Sequence, residues 1–349
     1  MSGGAVTIAT RALAALSVAV FSALGATDPV RAENCGPLAI VASVDLVPTT
    51  DNTLQFVPVS IGDAKRLMLV DTGGFVSEIT PQAVEELRLS HRELGFEQIN
   101  VAGEMSREAA LVPSFRLGEL SAASIEFVIA PEKKVFVGDK RFVGIIGPDI
   151  LRSYDVDMDF GAHRLNLMSP DHCEGKVVYW HPSALAVLPM DVLRSGHIAV
   201  TVTIDGKPER ALLDTGADES TLALPIAEGD FHLKAGTPDM PYVFDLQGKP
   251  GSSVYTHRFS SVSFGSIAAA SPQFAIVPDL VGHPLELQAT TGTRFIDADA
   301  RDETAPVLIG MDILRHLHLY IAYKEHKLYV APAPSDRQAT SASAGTAAE

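Results

Sequence analysis

Positive charge is scarce in this chain. Lys and Arg number 27 against 43 Asp and Glu, for a formal net charge of −16. With no basic surface to neutralise phosphates, nucleic acid and anionic membrane are excluded as partners. Cysteine is scarcer still, with only Cys35 and Cys173, and no neighbouring His pair turns them into a zinc site. The single tryptophan, Trp180, reads as packing between halves of the chain rather than as a binding platform. No Gly-x-Ser-x-Gly elbow and no phosphate-cradling glycine loop occur, which removes serine hydrolases of that type and nucleotide chemistry. One apolar run stands out, Ala12 to Ala26, and it falls short of the roughly 20 residues a membrane span requires. What remains is a chain of 349 residues with 46% apolar content, enough for two globular domains.

The ends differ from the middle. Arg11 precedes the apolar run, and Val30-Arg31-Ala32 then offers a small-residue cleavage site, with Ala26 as an earlier one. The pattern predicts a secretory signal peptide over residues 1–32 and an exported protein, periplasmic or extracellular; the alternative is a hydrophobic first helix. In an oxidising compartment Cys35 and Cys173 suit one disulfide closing the first half of the chain, the alternative being two free buried thiols. Composition places a first domain at 36–170, a linker at 171–183, a second domain at 184–331 and a disordered tail of Ala, Ser, Thr and Pro at 332–349.

The middle is a repeat. At an offset of 143, Val57, Val59 and Ile61 fall on Val200, Val202 and Ile204, each set alternating as a half-buried strand does. Turns follow at Gly62-Asp63 and at Asp205-Gly206. Apolar approaches then lead to two aspartates: Leu67-Met68-Leu69-Val70 to Asp71, and Ala211-Leu212-Leu213 to Asp214. Downstream, Ile145-Ile146-Gly147-Pro148-Asp149-Ile150-Leu151-Arg152 matches Leu308-Ile309-Gly310-Met311-Asp312-Ile313-Leu314-Arg315 at an offset of 163. A short helix is expected at each of these blocks, then a strand pair over Val156 to Met168 and over Leu319 to Val330. Between the motifs lie candidate flap hairpins, around Ala102-Gly103 in the first half and around Gly248 and Gly251 in the second. Thr80 as N-cap and Pro81 at the first position predict a helix running to Leu89. Many short strands and few helices make the fold mainly β.

Asp71-Thr72-Gly73 and Asp214-Thr215-Gly216 carry the chemistry. Two carboxylates about 3 Å apart cannot both ionise comfortably and share one proton. The ionised member can take a proton from water while the protonated member polarises a carbonyl. Other candidates carry less. Asp155-x-Asp157-x-Asp159-x-Gly161 lacks the glycine and glutamate that a calcium loop demands, with Phe160 and Asn166 in their places, and reads as alternating aspartates facing solvent. His316 and His318 read as surface histidines with no third ligand nearby. No metal and no cofactor are expected.

The apolar-apolar-Asp-Thr-Gly motif with its downstream apolar-apolar-Gly-x-Asp-x-Leu block resembles the retroviral-type aspartic proteases and their bacterial relatives. The resemblance spans roughly residues 54–168 and 197–331, and Leu213-Asp214-Thr215-Gly216-Ala217-Asp218 is an especially close match. Gly74 departs from the Ala or Ser more usual there. The resemblance implies two tandem retropepsin-like β-barrel domains related by a pseudo-twofold axis, bilobal like pepsin. It implies a catalytic pair Asp71 and Asp214 supported by Thr72, Gly73, Thr215 and Gly216, and a monomer acting on a peptide or protein substrate. The alternatives are an inactive peptide-binding or envelope interaction module of the same fold, and halves that pair between molecules.

Overall fold

The computed structural model describes residues 35–50, 53–95, 99–101, 104–131, 141–246, 252–278 and 305–333, so the expected leader and nearly all of the expected tail lie outside the described residues. The alternating Val57, Val59 and Ile61 build the strand Gln55–Ile61, which turns into Ala64–Val70. Their repeat mates build Ile198–Ile204, which turns into Lys207–Leu213. At the second turn Asp205 and Gly206 have φ of 44° and 85°, the doubly left-handed turn for which Asp-Gly is suited. All six alternating residues are buried, and they form the centre of each barrel.

In the first barrel the strands pair in the order Val47–Pro48, Gln55–Ile61, Ala64–Val70, Phe142–Ile146, Glu78–Ile79, Leu120–Ile129, Glu108–Leu117 and Ser90–Glu93. The sheet closes because Glu108–Leu117 returns to Gln55–Ile61, with Leu117 opposite Val59. The second barrel repeats this with Ile198–Ile204, Lys207–Leu213, Val307–Ile309, Thr221–Ala223, Gln273–Val277, Ser253–Arg258 and Tyr242–Asp245. Its closing contact comes from a separate strand, Ser261–Phe264, against Ile198–Ile204. The arrangement is mainly β, with two barrels built from one repeated plan. Among the described residues no helix is long and apolar enough to cross a membrane.

In each barrel the strand before the downstream glycine lies parallel to the strand that approaches the aspartate. Ile146 sits opposite Val70, and Ile309 opposite Leu213. The glycines then cap short helices, Pro148–Leu151 and Met311–Leu314. The Thr80 hydroxyl accepts from the Ala83 amide at 3.2 Å as the N-cap of Pro81–Glu86. That helix stops short of the expected Leu89: Arg88 takes φ 52°, reverses the chain and tucks Leu89 into the core.

A shared sheet joins the halves. Ile40–Asp45, Arg164–Met168 and Asp155–Asp159 continue into Leu317–Ala322, Lys327–Pro332 and Ala186–Val192. Across the seam Val156 faces Ile321 and Met158 faces Leu319, each pair being repeat mates exchanged. Here two expectations are overturned. Asp155 and Asp157 do not face solvent but are fully buried, and His318 is buried as well, while His316 is exposed as expected. Alternation puts the aspartates on the face away from the barrels, but residues 171–180 cover that face, and a buried carboxylate must then be paired. Asp155 Oδ2 meets His172 Nε2 at 2.6 Å, and its Oδ1 accepts from the Tyr323 amide at 3.0 Å. Asp157 Oδ1 meets His318 Nε2 at 2.6 Å, and its Oδ2 accepts from Asn166 Nδ2 and from the Tyr179 hydroxyl. Trp180 stacks on His318 with centroids 4.2 Å apart. The Cys35–Cys173 disulfide forms, with Cα atoms 4.8 Å apart, beside His172.

The Asp155–His172 pair gives the shared sheet a pH dependence. Burial raises Asp155 despite its hydrogen bonds. Burial alone would lower His172, but the hydrogen bonds to Asp155 and the Cys173 carbonyl, with the charges of Asp155 and Glu325, hold it above its ordinary value. Both folded-state values exceed the unfolded ones, about 3.9 and 6.5, so the folded chain keeps protons that the unfolded chain releases. That stabilisation is complete at acid pH and is lost as pH rises through His172's raised value. The melting temperature should therefore fall between pH 6 and pH 8.5 by roughly 2–4 °C, and His172→Gln, which can still donate to Asp155, should flatten the slope. Calorimetry across that range checks both; a melting temperature that rises with pH contradicts them.

Candidate active site

Each Asp-Thr-Gly turn begins where a strand ends. The Asp71 amide donates to the Ile146 carbonyl and the Asp214 amide to the Ile309 carbonyl, both at 3.0 Å, so the neighbouring parallel strand fixes where each aspartate sits. The two turns meet through their threonines. The Thr72 amide donates to Thr215 Oγ1 and the Thr215 amide to Thr72 Oγ1, both at 3.1 Å. Each hydroxyl then donates onward across the pair, Thr72 to the Leu213 carbonyl and Thr215 to the Val70 carbonyl, both at 2.7 Å. Both threonines are buried, so these amides and carbonyls have no water to turn to. A hydroxyl both donates and accepts, and that is what lets one side chain hold an amide and a carbonyl of the opposite turn.

The carboxyls lie beside one another. Asp71 Oδ1 accepts from the Gly73 amide at 2.9 Å; Asp214 Oδ1 accepts from the Gly216 amide at 2.8 Å and the Ala217 amide at 3.1 Å. A Cβ on Gly73 would collide with the Asp214 carboxyl, and one on Gly216 with the Asp71 carboxyl. Each carboxyl thus leans over the opposite turn, and only glycine leaves room for it. A Cβ at Gly74 would lie 3.1 Å from Asp71 Oδ2. Burial and the charge of Asp71, with a hydrogen bond between the two carboxyls, push Asp214 up to about 8 against the lowering effect of the Gly216 and Ala217 amides. A pair so coupled titrates as one unit and gives up its last proton late, so that it can donate and accept at one point.

Behind the turns lies a second symmetric tie that reading the motifs alone misses. Ser77 Oγ donates to Asp149 Oδ1 at 2.7 Å and accepts from the Gly147 amide at 2.9 Å. Ser220 Oγ donates to Asp312 Oδ1 at 2.6 Å and accepts from the Gly310 amide at 2.9 Å. Burial raises Asp312 in spite of these contacts. The signal was present in the repeat, since Ser77 and Ser220 stand at the same offset of 143 as the aspartates.

The other candidate residues lie elsewhere. Ala102, Gly103, Gly248 and Gly251 are outside the described residues. The strands flanking them do form hairpins, Ile99–Val101 with Glu104–Ser106 and Tyr242–Asp245 with Ser253–Arg258. Tyr242, Val243 and Phe244 on the second hairpin are exposed large apolar side chains. Cys35 and Cys173 belong to the shared sheet. Among the described residues no group of three or more His, Cys, Asp or Glu side chains is placed to hold a metal ion.

A family model described as aspartyl protease matches residues 57–150 and 200–313, more than half of the chain and the same two stretches that the internal repeat superposes. The two matches are those of a tandem retropepsin-like protein. No curated protein sequence matches the chain. Among solved structures, basic 7S globulin from soybean is similar at a TM-score of 0.46 and 9% identity, over 86% of this chain and 95% of that one.

The threonine exchange generates a stability prediction. Thr215→Val keeps the shape but strips the Thr72 amide and the Val70 carbonyl of their buried partner. It should cost about 2–4 kcal/mol in urea unfolding, and Thr72→Val should cost the same by symmetry. The double variant should cost clearly less than the sum, because both act on one network. Strict additivity, or a cost below about 0.5 kcal/mol, contradicts the exchange.

Proposed function

Because the chain belongs to the aspartyl protease family, we propose that it is an endopeptidase in which Asp71 and Asp214 together activate a water molecule against a peptide bond. The observation that carries this reading is the pair of carboxyls lying beside one another across the exchanged threonines, with Asp214 pushed up to about 8. The ionised member accepts a proton from the water as its oxygen attacks the scissile carbonyl carbon. The protonated member gives its proton to the carbonyl oxygen, so a neutral tetrahedral diol forms and no free oxyanion builds up. Collapse of the diol breaks the carbon–nitrogen bond: the proton taken from water passes to the leaving amine, and one diol hydroxyl returns its proton to the other carboxylate as the C=O reforms. The pair ends with one proton, as it began. No metal or cofactor takes part in any step.

Thr72 and Thr215 hold the geometry, and Gly73 and Gly216 supply the clearance. The hairpins bearing Ala102-Gly103 and Gly248 with Gly251 take the part of covers over an extended peptide. One chain contributes both aspartates, so the working unit is a monomer. Export is part of the same reading: the leader-like residues 1–32 and the Cys35–Cys173 disulfide both suit an oxidising compartment.

Asp71→Asn and Asp214→Asn should each abolish cleavage of a peptide library, by at least about 1,000-fold in kcat/KM. Neither should lower the melting temperature, because each removes one of two crowded carboxyls. A peptide bearing a hydroxyl-carrying tetrahedral carbon in place of the scissile carbonyl should inhibit. Wild-type protein that binds extended peptides yet cleaves none between acid and neutral pH would be a peptide-binding module instead.

The pH profile has a defined shape. The pair keeps its last proton until pH rises through about 8, so kcat/KM should persist at neutral pH and fall on an upper limb centred near 8. On the acid side it should fall as the pair takes up its second proton. An upper limb centred below pH 6 would contradict the shared burial of the pair.

A further inference from the structure

A cavity of about 340 Å³ lies between the second hairpin and the turn that carries Asp214, lined among others by Val254, Phe244, Tyr255, Glu219 and Asp312. It is large enough for one long side chain and small for a whole ligand. Its walls are of two kinds. Phe244 and Tyr255 offer aromatic faces, and Phe244 is half exposed although it is a large apolar residue. Glu219, five residues beyond Asp214 on the same turn, is an exposed carboxylate with no hydrogen bond or ion pair among the described residues. Asp312 Oδ1 is held by Ser220 Oγ and the Ile313 amide at 2.6 and 3.0 Å. The nearby guanidinium of Arg258 is engaged elsewhere, donating to the Ser271 carbonyl at 2.7 Å and to Gln273 Oε1 at 2.6 Å.

The repeat shows that the fold does not need a carboxylate at this place. At the offset of 143, Glu219 stands opposite Val76 and Asp218 opposite Phe75. In the first barrel Phe75 packs edge-on against His197 with centroids 5.2 Å apart. The same backbone position is therefore apolar on one side of the dyad and acidic on the other.

We infer that this cavity is a binding pocket for the side chain of a lysine or arginine in the peptide substrate. The aliphatic stem lies along Phe244 and Tyr255, and the charged end reaches Glu219 and Asp312. An apolar side chain of the same length would cover Glu219 without pairing it, and is disfavoured for that reason. Because Val76 and Phe75 occupy the matching place in the first barrel, the pocket also gives the cleft a direction. A basic residue is accepted on one side of the scissile bond and not on the other. This inference rests on the peptide-hydrolase reading for its substrate class.

The test separates binding from cleavage. Full-length Asp214→Asn protein is titrated calorimetrically with short peptides that differ only in lysine or norleucine at one position, scanned along the peptide. At one position the lysine peptide should bind about tenfold tighter. Glu219→Gln should erase most of that difference, and Glu219→Lys should reverse it. Wild-type protein should cleave the same peptides in the same order of kcat/KM. No position favouring lysine, a preference that survives Glu219→Lys, or no peptide binding at all would each overturn the pocket. A lysine preference that depends on Glu219, in a wild-type protein that cleaves nothing, would support the pocket while refuting the hydrolase reading.

Discussion

The exchange between Thr72 and Thr215 is the constraint on which the rest of the structure turns. Each hydroxyl takes an amide of the opposite turn and gives its proton to a carbonyl beyond it. The carboxyl pair does not hold itself together: two acids brought side by side in a crowded setting repel when both are ionised, and burial makes that worse. Something neutral must fix them, and buried hydrogen bonds between uncharged groups do so without adding a charge that would pin one acid ionised. Gly73 and Gly216 then decide how close the carboxyls come, since any side chain there would strike the opposite acid. The closeness of the two carboxyls is in this sense a property of backbone geometry imposed on two ordinary aspartates.

The shared sheet does a related job at longer range. Its seam is built from repeat mates packed against each other, and the face away from the barrels carries Asp155 and Asp157, each answered by a histidine. Buried polar pairs of this kind seldom add much stability over apolar packing, yet breaking one is costly. Their effect is to make the registry of the two halves specific: slipping Asp155–Asp159 against Leu317–Ala322 would strand two carboxylates in the interior. The disulfide anchors the covering segment at Cys173, next to His172, so the cover and the pairing are fastened at one point.

Much of this was legible beforehand because duplication writes the same physical requirement twice. The alternating apolar sets, the apolar approaches to Asp71 and Asp214 and the two glycine blocks announced the barrels and their dyad. Thr80 and Pro81 announced a helix start, although its end depended on Arg88 adopting a left-handed conformation that sequence does not signal. The burial of Asp155, Asp157 and His318 was not legible. The strand pattern read the aspartates as facing solvent, but residues of the linker between the repeats, His172, Tyr179 and Trp180, cover them. The Ser77 and Ser220 ties were visible in principle, at the same offset as the aspartates, but a lone serine after a turn has too many ordinary uses to stand out. The asymmetry of Glu219 against Val76 gains meaning only once a cavity is seen beside it.

The central claim is that Asp71 and Asp214 hold one proton jointly. The most direct measurement is a carbon NMR titration of carboxyl-labelled aspartate, with the two resonances assigned through Asp71→Asn and Asp214→Asn. The expected result is that the resonances move together, with one proton retained at neutral pH and released near pH 8. Two independent transitions close to the ordinary aspartate value of about 3.9 would contradict it.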